Sequence, residues 1–197
     1  EIDSEFDFGM KKVKGAYLPF EMAFPARFVI SPEIIGSDDA RRCKDACKYD
    51  AVDLEMAAKT LNFNVGAIVW ATGWEPYDAT KIDNLGFGQY PNIVTNMRME
   101  RLASPNGPTK GRVLRPSDDK EPASIAFVQC AGSRDENHLP YCSYICCMAS
   151  LKQATYIRER YPEAKIYVFY IDLRTPGYRY ERFYEKIKED ENIFLIK

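Results

Sequence analysis

Only one histidine and two tryptophans occur among the 197 residues, so a multi-histidine metal site is excluded at the outset. Cationic excess is also missing: 27 basic side chains face 29 acidic ones, a net charge of −2, which argues against a strongly basic nucleic-acid binder. No apolar run approaches the ~20 residues of a membrane-spanning helix. The longest, GAIVWA at 66–71, is the size of a strand. A GxGxxG dinucleotide fingerprint appears nowhere, and there is neither an internal repeat nor a low-complexity segment. The N-terminal EIDSEFDFGM carries acids where a secretory signal is basic, so a reducing cytoplasm is the expected setting. What remains is a chain of ordinary apolar content, 46%, suited to a folded core.

Against these absences stand six cysteines in two groups. Cys43 and Cys47 form one; Cys130, Cys142, Cys146 and Cys147 form the other. A disulfide framework suits the second group poorly, because a bridge between neighbours such as Cys146 and Cys147 is strained. Clustered thiols in a reducing compartment more often bind metal or do redox work.

The chain divides by pattern. Residues 1–35 hold short extended pieces punctuated by Pro19, Pro25 and Pro32. Val52, Leu54 and Met56, then Leu61, Phe63 and Val65, alternate as two strands would, and the second runs into GAIVWATG, a stretch apolar enough for burial on both faces. Residues 104–123, rich in proline and glycine, read as a linker between residues 1–103 and 124–197. Beyond it, strands at 124–130, 165–171 and 192–196 alternate with helices at 144–160 and 180–189. On the first helix Ile145, Met148, Leu151 and Ala154 step along one face. This predicts an α/β fold with a βαβαβ parallel sheet, half of a dinucleotide-binding domain, preceded by a strand-rich part.

Three places carry candidate chemistry. Ala71, Thr72 and Gly73 end the apolar strand, where a glycine lets backbone approach a flat cofactor; a simple turn explains them as well. The loop CAGSRDENHLPYCS at 130–143 occupies the position of a phosphate-binding turn but has only Gly132, although Asp172 sits where a ribose-binding acid is expected. Cysteines replace the glycines. Cys130 ends the strand, Cys142 precedes the helix, and Cys146 and Cys147 fall in its first turn, with Ser143 the expected N-cap. The helix dipole favours thiolates there. Four soft ligands suit a 4Fe–4S cluster or zinc, and the spacing lacks the C-x-x-C knuckles of most zinc sites; unligated core or redox thiols are the bland alternative. At the third place, RCKDACKYDAVDL looks like the tail of a ferredoxin repeat in which Ser37 and Ala40 stand where two cysteines belong and Lys48 where proline does, so no cluster is expected at Cys43 and Cys47. His138 reads as a solvated loop residue.

The order of ATGWEPYD, YPNIVTNMRMERL, GPTKGRVLRPSD, IAFVQCAGSRDENHLPYCSYICCMASLKQA and YVFYIDLRTPG resembles the heterodisulfide reductase A-subunit family. Within that family it is most similar to the A-subunit of the quinone-interacting membrane-bound oxidoreductase complex of sulfate reducers. The resemblance is strong over 64–197, and the CAGSRD…CSxxCCM block is its most specific part. It implies a fragment of a two-dinucleotide-binding-domain flavoprotein: residues 1–103 belonging to an FAD-binding domain with a degenerate ferredoxin-like insert, and 124–197 a partial NAD(P)-binding-like Rossmann half. It implies FAD and a 4Fe–4S cluster as cofactors, with Ala71, Thr72, Gly73 and Trp74 on the flavin side and Cys130, Cys142, Cys146 and Cys147 as cluster ligands. It further implies electron transfer inside a complex with iron–sulfur and membrane quinone-interacting subunits. The protein would then be cytoplasmic, meet the membrane only through those partners, and have no nucleic-acid role.

Two other classes compete with that expectation. One is a cysteine-pair disulfide reductase or NAD(P)-dependent oxidoreductase, which the missing GxGxxG and C-x-x-C weaken. The other is a non-catalytic assembly module whose cysteines bind zinc or are structural.

Overall fold

The computed structural model describes residues 1–197 and falls into two compact units, Glu1–Trp74 and Glu75–Lys197. The boundary thus lies before residues 104–123, and that proline- and glycine-rich stretch sits inside the second unit. The reason is packing. Val113 is buried in the same core as Met99 and Leu151, so the stretch covers that core instead of bridging two domains.

In the first unit, β1 (Ile2–Asp3) pairs antiparallel with β2 (Lys12–Val13), and β3 (Ala16–Tyr17) with β4 (Val29–Ile30). Helix α1 (Asp38–Ala46) follows, with Ser37 accepting from the Ala40 N–H as its N-cap and two aspartates in the first turn to match the dipole. The strands expected from the alternation of Val52 to Val65, and the buried strand at 66–73, do not form. Residues 55–75 are exposed, Val69 and Trp70 by 89% and 81%. A strand is stable only when neighbours take its backbone hydrogen bonds. Here β1–β4 pair only among themselves, and nothing takes up the N–H and C=O groups of 61–73.

In the second unit, α2 (Asn96–Ala103) is capped by Thr95, whose side chain accepts from the Arg98 N–H. Then β5 (Ser124–Val128), α3 (Cys146–Arg160), β6 (Lys165–Phe169), α4 (Tyr178–Lys188) and β7 (Ile193–Ile196) alternate, and the strands form a parallel sheet in the order β5-β6-β7. This is the α/β, parallel-sheet architecture expected, with boundaries within two residues. Register places Ile125 beside Ile166 and Ile193, and Phe127 beside Val168 and Leu195. That face meets Leu151, Ala154 and Ile157 of α3 and Ile187 of α4. Arg158 on α3 closes the far end with two bonds to Asp190, at 3.0 and 2.8 Å.

The other face is different. Val128, Phe169, Phe194 and Ile196 stand 38–51% exposed on it, and Tyr167 stacks on Phe194 at 5.1 Å. Parallel sheets are normally covered on both faces; this one is covered on one.

Candidate iron–sulfur site

The site is built by the loop between β5 and α3. Pairing runs one residue past β5, with the Gln129 N–H donating to the Phe169 carbonyl at 2.9 Å, and then Cys130 turns the chain at φ 56°. A turn closed by the Ser133 N–H to the Cys130 carbonyl, 3.2 Å, leads into a narrow excursion. The Leu139 N–H returns to the Gly132 carbonyl at 3.1 Å, and the Arg134 N–H to the Tyr141 carbonyl at 3.0 Å. Ser133 and Ser143 share a hydroxyl–hydroxyl bond. These bonds carry Cys142 back beside the turn that holds Cys130.

Ser143 is therefore not the N-cap. Its hydroxyl is engaged by Ser133, Tyr144 adopts φ 66°, and α3 starts at Cys146 after Ile145 with no side-chain cap. The buried stripe shifts with the start. Cys147, Leu151, Ala154 and Ile157 lie on it, whereas Ile145 is exposed. Cys146 and Cys147 thus occupy an uncapped first turn, where the positive end of the helix favours anionic sulfur.

All six cysteines are free. Burial pushes the Cys147 thiol up, partly offset by a backbone hydrogen bond at Arg174. No three of the cysteines close tightly enough to grip a single ion. A polynuclear cluster reaches its ligands over a larger span, and the donor set of four free thiols fits one.

Elsewhere, Cys43 lies within α1 and Cys47 is its C-cap. Ser37 and Ala40, in the places of missing thiols, cap the helix and fill a fully buried position. Backbone N–H groups of Ala51, then Tyr49, hold the Cys47 thiol below its usual range. In the metal-free chain, timed iodoacetamide labelling read by mass spectrometry should modify Cys47 roughly tenfold faster than buried Cys147, because the thiolate is the nucleophile. Equal rates would contradict these environments.

Sequence reasoning left two neighbours of the loop unrecognised. His138 is no solvated residue: its Nδ1 bonds the Tyr77 hydroxyl at 2.7 Å, with the rings edge to face. Gly132, at φ 81°, sits where an added Cβ would come within 2.9 Å of the Tyr77 ring and 3.0 Å of Ile82. Gly132→Ala should therefore cost about 1–2 kcal/mol from the left-handed backbone alone, read by urea unfolding, and loosen the Tyr77–His138 contact. Arg134 is the second such neighbour. It bonds Asp172 through Nη1 at 2.7 and 3.0 Å, and Arg174 takes the same carboxylate at 3.2 Å. Arg134 first and Arg174 second hold the Asp172 carboxyl below its usual range, so the clamp opens only as pH falls through that lowered value. Asp172 is thereby occupied by guanidinium groups rather than left open for a ribose. A cation two residues beyond the only glycine of a thiol-rich loop was the available signal.

Ala71, Thr72, Gly73 and Trp74 lie in the first unit, exposed and without regular structure. Space around Gly73 is open, and residues 71–74 alone make no cradle for FAD. A concavity of about 500 Å³ along Ala103, Val113, Tyr156 and Arg160 includes none of the cysteines.

No family model matches the chain. The chain is nevertheless homologous along essentially its whole length to part of several proteins named heterodisulfide reductase A-subunits. It is 40% identical over 191 residues to the A-subunit of the ferredoxin/F420H2-dependent CoB-CoM heterodisulfide reductase of Methanosarcina acetivorans, covering 96% of this chain and 24% of the relative. It is 41% identical over 198 residues to the second iron-sulfur A-subunit of the CoB–CoM heterodisulfide reductase of Methanopyrus kandleri, covering 100% of this chain and 30% of the relative. It is 35% identical over 198 residues to the A-subunit of the H2:CoB-CoM heterodisulfide,ferredoxin reductase of Methanothermobacter marburgensis, with the same coverage of 100% and 30%. The chain thus spans about a quarter to a third of the length of these relatives.

Proposed function

We propose that this chain is an electron-transfer segment of a heterodisulfide-reductase-type A-subunit, with Cys130, Cys142, Cys146 and Cys147 ligating one 4Fe–4S cluster. What supports this is a donor set of four free thiols carried by the turn after β5, the loop folded back from it and the uncapped start of α3. The Methanopyrus kandleri relative is named as an iron-sulfur protein, which supports it. The cluster, when bound, supplies one-electron chemistry. The chain's own contribution is placement: the β5 turn fixes Cys130, the folded-back loop returns Cys142, and the first turn of α3 presents Cys146 and Cys147 with unpaired N–H groups toward negative charge. Neither a general base nor a nucleophile is required.

FAD belongs to the same reading as a cofactor of the longer protein. Residues 71–74 form its flavin-side edge, and the pyrophosphate turn absent from this chain comes from elsewhere in that protein. The alternation of Leu61, Phe63 and Val65 into 66–73 is the strand that this remaining sheet would pair. The partners are iron–sulfur subunits and a membrane quinone-interacting subunit; no helix here is long and apolar enough to cross a membrane.

The test is an anaerobic preparation of the full-length protein, with iron, acid-labile sulfide, zinc and flavin quantified beside a variant carrying serine at all four positions. A loss of about four irons and four sulfides in the variant is expected. Loss of zinc instead would favour an assembly module, and loss of neither a thiol-based redox site. For the quinone-linked version, the reduced protein should be reoxidised by a quinone analogue only when the membrane subunit is present. Reoxidation by the CoB–CoM heterodisulfide would assign the activity for which the relatives are named.

A further inference from the structure

Arg134 is the one cation built into the thiol loop, and ligation of a cluster leaves it unused. Its side chain is 24% exposed, and both oxygens of Asp172 grip Nη1, at 2.7 and 3.0 Å. Asp172 follows β6, so the pair ties the cysteine loop to the neighbouring strand. Arg134 follows the turn that the Ser133 N–H closes on the Cys130 carbonyl, so its backbone belongs to the segment that leads from Cys130 to Cys142. Cys147 Sγ lies 4.0 Å from the Asp172 carbonyl. Asp172 therefore meets one of the four thiols through its backbone and holds the guanidinium of the cysteine loop through its side chain.

We propose that Arg134, anchored by Asp172, is a positioning residue that sets the reduction potential of the cluster at Cys130, Cys142, Cys146 and Cys147. This rests on the cluster assignment above. Adding one electron to a cluster and its four thiolates adds one negative charge, with no bond made or broken in the protein. A fixed cation near the ligand sulfurs stabilises the more negative form and so raises the potential. Arg134, Arg174 and Asp172, joined by ion pairs, sum to +1. Neutralising Arg134 leaves Asp172 and Arg174 to cancel, and the stabilisation disappears. Held at both carboxylate oxygens, the guanidinium has little freedom to be displaced by water, so its charge acts at a defined place.

The experiment is a dithionite redox titration of the full-length protein, followed by electron paramagnetic resonance, for wild type, Arg134→Gln and Arg134→Lys, with iron and sulfide measured on each. The signal assigned to this cluster is the one that Cys130→Ser removes. Arg134→Gln should keep its iron and sulfide and lower the potential by the equivalent of a tenfold change in the one-electron equilibrium, about 59 mV. Arg134→Lys, which keeps the charge, should restore most of that shift. A glutamine variant fully loaded and titrating at the wild-type potential overturns the inference and leaves the cluster assignment standing. A glutamine variant that takes up no iron also overturns it, because Arg134 would then be needed to build the site rather than to tune it. If Cys130→Ser removes no signal from the wild type, the cluster assignment itself fails.

Discussion

Changing Cys146 to serine in the full-length protein is expected to remove most of one cluster's iron and sulfide while the fold stays intact. Cys146 is the first residue of α3, partly exposed, and its thiol makes no packing contact in the core below. Serine is nearly isosteric and sits comfortably in a first helical turn, so circular dichroism and thermal unfolding of the metal-free protein should not change. Oxygen, however, is a poor substitute for thiolate at iron, and a cluster with three good ligands is labile. The contrast is Cys43→Ser together with Cys47→Ser, which should leave iron unchanged. Ser37 and Ala40 already serve α1 as cap and buried contact, so that segment offers two thiols where a ferredoxin-type site needs four. A reconstituted Cys146→Ser protein with wild-type iron, sulfide and redox behaviour would remove Cys146 from the ligand set. Loss of iron in the Cys43/Cys47 double variant would show those thiols completing a site with another segment.

The second unit was legible in the sequence because its signals are local. Period-two alternation at Ile125 and Phe127, and again at Ile166 and Val168, marks strands whose core face is set by pleat alone. What escaped depends on residues far apart in the chain. Ser143 has every attribute of a cap, but Ser133, ten residues back, takes its hydroxyl, and the helix begins later. His138 is fixed by Tyr77, 61 residues upstream, and Asp172 is claimed by Arg134 from 38 residues away. The converse failure is the apolar run at 66–71. Its composition specifies a buried strand, but composition cannot supply the neighbours, and in this chain Trp70 is left 81% exposed. The bare face of the β5-β6-β7 sheet has the same character. Apolar patterning reports what a segment requires, and only the contacts show whether the requirement is met.

Leu151→Ala should be the most damaging single core change, costing about 2–5 kcal/mol. Leu151 is fully buried in the middle of α3 and is among the largest of the fully enclosed side chains. It shares its core with Ile166 and Val168 of β6, so truncation opens a cavity under the helix that carries Cys146 and Cys147. The surroundings cannot collapse freely. Gln153, two residues on, is pinned by bonds from its Nε2 to the Asn96 carbonyl at 3.1 Å and to Glu100 at 3.0 Å, and Arg158 is pinned to Asp190. A domain of this size has a total stability of about 5–15 kcal/mol, so the variant loses a large share of it. In thermal unfolding the midpoint should fall by roughly 10 °C. Leu151→Met, which conserves volume, should cost less than about 1.5 kcal/mol. Below its lowered midpoint the alanine variant should still load iron, because α3 keeps its start and its thiols. Loss of loading at temperatures where the variant remains folded would show that the ligand geometry depends on core packing, and a stability change under about 1 kcal/mol would mean that α3 is not held to the sheet as described.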